Sequence, residues 1–71
     1  MSTLQINGQS RNLDLTVHAT IAELLEHLGI KPDRVAIEHN GNIATRASWN
    51  TIKLASGDRL EIVHFVGGGL I

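Results

Sequence analysis

The sequence closes on HFVGGGLI, and the run Gly67-Gly68-Gly69 is its most distinctive chemical feature. Without a Cβ, such a run lets a second backbone approach closely and reaches angles that other residues avoid. Glycines can also cradle a phosphate, but here neither a lysine nor a helical segment follows to complete that loop. Histidines 18, 27, 39 and 64 invite a metal. No pair of them falls at a ligand spacing on one helix, and surface or edge positions suit them better. The chain has no cysteine, which removes disulfides, thiolate ligands and a thiol nucleophile. It also lacks a nucleophile–base pair set in a cleft. The glycines are left as the working part, with Leu70 and Ile71 as a cap behind them.

Size and charge narrow the class of protein that could use such a feature. A chain of 71 residues makes one domain and buries only about 60% of the surface that its unfolded state exposes. A walled pocket is hard to build from so little material, so a binding or carrier module is expected rather than a catalyst acting alone. The formal charge is −1 with both signs interspersed, and no basic stripe marks a nucleic acid or an anionic membrane as partner. The opening MSTLQING has no basic segment followed by an apolar run, and no stretch reaches the ~18 apolar residues of a membrane span. A soluble cytoplasmic protein is the expectation.

The elements that must present the glycines can be read from periodicity. Leu4 and Ile6 share one face of a first strand, and Asn7-Gly8 is a strong hairpin signal because a type I′ turn needs positive φ twice. Leu13, Leu15 and Val17 alternate after it and predict a second strand. The period then changes: Ile21, Leu24, Leu25 and Leu28 make one helical stripe. Thr20 and Glu23 match a capping box, and Gly29 suits the left-handed position past the last turn. Val35 and Ile37 predict a third strand, which Asn40-Gly41 turns into a short one around 42–44. A helical turn is expected near 47–50, with Trp49 as a partly buried cover. Gly57-Asp58 turns into the last strand, where Leu60, Ile62, His64 and Val66 face one way and Val63 and Phe65 the other. Charges at Asp33, Arg34 and Arg46 are read as solvated. This order predicts an α+β β-grasp (ubiquitin-like) roll over 1–66: a mixed sheet of about five strands, one helix across it, first and last strands parallel in the centre. Residues 67–71 follow as a flexible tail reaching at most roughly 17 Å.

The segments TIAELLEHLGI, VAIEHNGNIATRASW and SGDRLEIVHFVGGG resemble, in order and spacing, nearly the whole length of the ThiS-type sulfur carriers of thiamine biosynthesis. That resemblance implies a carrier rather than an enzyme. The closing glycine carboxylate is adenylated by an E1-like, ThiF-type partner that uses ATP and magnesium, and no cofactor is bound by the carrier itself. A persulfide donor then supplies sulfur, giving a thiocarboxylate that a ThiG-type thiazole synthase consumes. Carried to this chain, Gly68 and Gly69 match the diglycine, Gly69 bears the sulfur, and Gly67 adds flexibility. Val63, Phe65 and Val66, beside the tail, are expected to bind the partner.

Leu70 and Ile71 depart from that pattern, because an internal amide at Gly69 cannot be adenylated. Three explanations stand at this point: a protease trims the pair, the pair comes from a reading choice near the stop codon, or the protein keeps its tail and binds instead of carrying. The corresponding alternatives in function are a carrier for molybdopterin, cysteine or tRNA thiolation, and a non-carrier β-grasp binding module.

Overall fold

Two Asn-Gly turns set the frame of the fold. The computed structural model describes residues 2–65, and in it Asn7 and Gly8 have φ of 51° and 80°, Asn40 and Gly41 51° and 86°. Positive φ at both central positions matches the right-handed twist of the flanking strands. The first turn joins β1 (Ser2–Ile6) to β2 (Gln9–Leu13), and the second joins β3 (Val35–His39) to β4 (Asn42–Ala44). The last strand, β5 (Arg59–His64), runs between the two hairpins, giving the order β2-β1-β5-β3-β4. It is parallel to β1 through Gln5↔Arg59 and Ile6↔Leu60, and antiparallel to β3 through five pairs from Val35↔His64 to His39↔Leu60.

The crossover between the hairpins is the helix α1 (Ile21–Leu28). Its start is fixed as expected. The Thr20 hydroxyl accepts from the Glu23 N–H at 3.2 Å, and the Glu23 carboxylate accepts from the Thr20 N–H at 3.1 Å. Gly29 stops it at φ 72°, with its N–H on the Glu26 carbonyl and the Ile30 N–H on the Leu25 carbonyl. Ile21, Leu24 and Leu25 face inward and join Leu4, Ile37 and Leu60 in a core from which water is essentially excluded.

Two local expectations need correction. The second strand stops at Leu13 rather than continuing through Leu15 to Val17. Asp14 takes the Thr16 N–H and hydroxyl on its carboxylate and the Val17 and His18 N–H groups on its carbonyl. Such local bonds offer the backbone an alternative to the ladder, and Val17 ends 59% exposed instead of sharing the buried face of Leu13. Trp49 is deeper than a partial cover, only 4% exposed. It follows a 3-10 turn at Arg46–Ser48, and its indole N–H donates to the Ala44 carbonyl at 2.7 Å. That bond lets the ring enter the core with its polar atom satisfied.

Among the described residues no helix is long and apolar enough to cross a membrane. The expected boundary between a 1–66 domain and a 67–71 tail falls where the description ends. Val66, Gly67, Gly68, Gly69, Leu70 and Ile71 lie outside the described residues.

Candidate functional site: the strand that carries the glycine run

Since β5 leads directly to Gly67–Gly69, what holds β5 fixes where the glycines start. Leu60 and Ile62 anchor it from below, both buried. His64, on the same face by alternation, is exposed at the strand end. The ladder continues one step further, with the Phe65 N–H donating to the Arg34 carbonyl at 2.9 Å.

The two turn asparagines then do something that their backbone angles do not require. Strand pairing between β1 and β5 covers only two residue pairs. Beyond it, the Asn7 side chain takes the place of a strand residue: Oδ1 accepts from the Ile62 N–H at 2.7 Å and Nδ2 donates to the Ile62 carbonyl at 3.1 Å. On the other side, Asn40 Oδ1 accepts from the Arg59 N–H at 2.8 Å and Nδ2 donates to Asp58 Oδ1 at 3.2 Å. A clamp on each flank therefore holds the strand before the tail. Asn7→Gly isolates the first of them, since glycine tolerates the φ but brings no carboxamide. It is expected to cost about 1–3 kcal/mol in urea unfolding; an unchanged midpoint would show that the clamp contributes nothing.

Asp58 ties the start of β5 to the tip of the β3–β4 hairpin. Its Oδ2 lies 2.8 Å from His39 Nε2 and accepts from the Ala55 N–H at 2.9 Å. Burial by itself pushes this carboxyl up, but the bonds from His39, Ala55 and Asn40 outweigh it and hold the pKa below the ordinary aspartate value. A carboxyl depressed in the fold contributes stability that is complete above its unfolded pKa, about 3.9, and is lost as pH falls through the lower folded value. Wild type is thus expected to weaken as pH drops below about 4, and Asp58→Asn to weaken less over the same window. Denaturant midpoints across that window measure it, and parallel curves would contradict it. Some acid dependence persists in the variant, because the Thr16 hydroxyl and N–H hold Asp14 low as well.

The partner-binding residues expected from sequence are placed as follows. Val63 and Phe65 stand on the outer sheet face, 58% and 55% exposed, while Val66 lies outside the described residues. Ile43 was not expected there, yet it is 79% exposed on β4. The signal was available: the Asn40-Gly41 turn sets His39 opposite Asn42, so Ile43 falls opposite Glu38, facing outward. The histidines do not form a metal centre. His18 and His27 come from different elements and stack with ring centroids 3.9 Å apart, and no group of three possible ligands exists among the described residues.

Strand order β2-β1-β5-β3-β4 with a single crossover helix defines a β-grasp roll. Comparison with known proteins sharpens that class. A model of the ThiS family matches residues 4–69. The sulfur carrier protein ThiS of Bacillus subtilis (strain 168) is 35% identical over 66 residues, covering 93% of this chain and 98% of that protein. The crystal structure of the thiamine biosynthesis protein (ThiS) from Geobacter metallireducens superposes with a TM-score of 0.80 at 29% identity, covering 94% of this chain and 99% of that one. A thiazole synthase of Paramagnetospirillum magneticum is 41% identical over 66 residues, 93% of this chain but 20% of that protein. This chain thus spans about a fifth of the length of that thiazole synthase. The chain belongs to the ThiS family.

Proposed function

We propose that this protein is a sulfur carrier for thiazole formation in thiamine biosynthesis, and that its reactive group is the carboxylate of Gly69. The observation that carries the reading is that the family match runs through β5 and the glycine run and stops at Gly69, leaving Leu70 and Ile71 outside it. A protease first hydrolyses the Gly69–Leu70 amide. The freed carboxylate attacks the α-phosphorus of ATP on a ThiF-type adenylyltransferase and displaces pyrophosphate. The terminal sulfur of a cysteine persulfide attacks the acyl carbon, and AMP leaves. A thiol cleaves the resulting acyl disulfide, itself going to disulfide, and the thiocarboxylate remains on Gly69.

In this scheme adenylation makes the poor carboxylate electrophile reactive, and the ATP, magnesium and persulfide all belong to partners. The chain supplies a delivered terminus and acts as their co-substrate. Similarity to one part of a protein named thiazole synthase supports a ThiG-type enzyme as the acceptor of the sulfur. The outer sheet face with Val63 and Phe65 supports docking of the adenylyltransferase, because a glycine tether loses entropy on binding and affinity must come from the folded body. The test is to supply the adenylyltransferase, ATP, magnesium, a persulfide and a thiol to a chain ending at Gly69 and follow its mass. Failure of that chain to gain sulfur would refute the carrier reading.

A further inference from the structure

The outer sheet face carries a charge arrangement that the free protein does not use. Glu38 on β3 and Glu61 on β5 are directly opposite each other in the ladder, and both are exposed. Like charges placed directly opposite destabilise a sheet. No lysine or arginine relieves them: among the described residues neither glutamate forms an ion pair, although Arg59 lies two residues along the same strand. The unrelieved pair sits inside the apolar patch rather than apart from it. Ile43 is opposite Glu38 on the far side of β3, and Ala36 is opposite Val63 in the next row. Ala36, Ile43 and Phe65 also line a groove of about 320 Å³ at the β3–β4 edge, with Arg46 at its rim.

We propose that this face docks a protein surface that seats an arginine between Glu38 and Glu61 and covers Ile43, Val63 and Phe65 with apolar side chains. The proposal rests on the carrier reading, and the occupant is the adenylyltransferase. A guanidinium fits because it can bond two carboxylates at once from a planar fork. Apolar neighbours on both sides exclude water and strengthen the attraction there. The repulsion in the free protein is then relieved only in the complex, so binding and free-state stability pull in opposite directions at these two positions.

That opposition gives the test. Calorimetric binding of the ThiF-type adenylyltransferase is compared at low and high salt for wild type, E38Q/E61Q and F65S, with thermal melting of each free protein. The double glutamine variant is expected to melt roughly 1–5 °C higher than wild type, yet to bind roughly tenfold or more weakly with a flattened salt dependence. F65S is expected to weaken binding while keeping the salt dependence. If E38Q/E61Q binds as tightly as wild type while F65S does not, the arginine seat is overturned and the apolar docking stands. If both variants bind like wild type, the whole face is overturned as a dock, while sulfur uptake on Gly69 still decides the carrier reading separately.

Discussion

A chain ending at Gly69 is expected to accept one sulfur atom, seen as the mass difference between sulfur and oxygen, under conditions in which the 71-residue chain accepts none. The difference is all-or-none because it concerns which group exists, not how well it is held. With Leu70 present, Gly69 offers a neutral amide carbonyl and no oxygen nucleophile to attack ATP. Without it, the same carbon carries a carboxylate. The 71-residue chain does have its own terminal carboxylate at Ile71. A β-branched residue in a passage shaped for bare glycine backbone meets the walls that glycine avoids. Intact-mass spectrometry of both chains after incubation with the adenylyltransferase, ATP, magnesium, a persulfide and a thiol reads the outcome directly. Equal sulfur uptake by the two chains would contradict it.

The second large effect lies in the scaffold. Leu24 is fully buried at the centre of the helix stripe. Leu24→Ala removes its transfer free energy and leaves a cavity, about 2–5 kcal/mol together. A domain of 71 residues holds only about 4–10 kcal/mol in total, so half or more of the stability goes. The melting temperature is expected to fall by roughly 10–25 °C. Val17→Ala is the matched control, because that side chain already faces water, and it is expected to stay within about 0.5 kcal/mol of wild type. Differential scanning calorimetry checks both, and a Leu24→Ala protein melting within a few degrees of wild type would refute the core assignment. Below its new melting point, the Leu24→Ala variant ending at Gly69 retains sulfur uptake, since scaffold and reactive terminus are separate parts.

How far the molecule was legible in its sequence differs by element. The helix was readable to its caps because Thr20, Glu23 and Gly29 each act through bonds within a few residues. Both hairpins were readable because Asn-Gly needs no distant partner to demand positive φ. The parallel β1–β5 pair followed from economy of connection and was found in the centre of the sheet. The second strand was over-extended because alternation at Leu15 and Val17 counted for more than the competing bonds of Asp14. Clamping by Asn7 could not be read, since its partner Ile62 lies 55 residues away and the residue already had a sufficient local reason to be asparagine. Glu38 facing Glu61 was hidden for a like reason, because it exists only once β3 and β5 are in register. For the site itself the glycine run was plain, and the family match through Gly69 agrees with its place in the chain.

The most direct test is the C-terminal residue of this protein purified from cells that are making thiamine, read by mass spectrometry of the intact chain. The carrier account predicts chains ending at Gly69, a fraction of them with one terminal oxygen replaced by sulfur. Chains that keep Leu70 and Ile71 throughout, in cells whose thiazole synthesis depends on this protein, would contradict it.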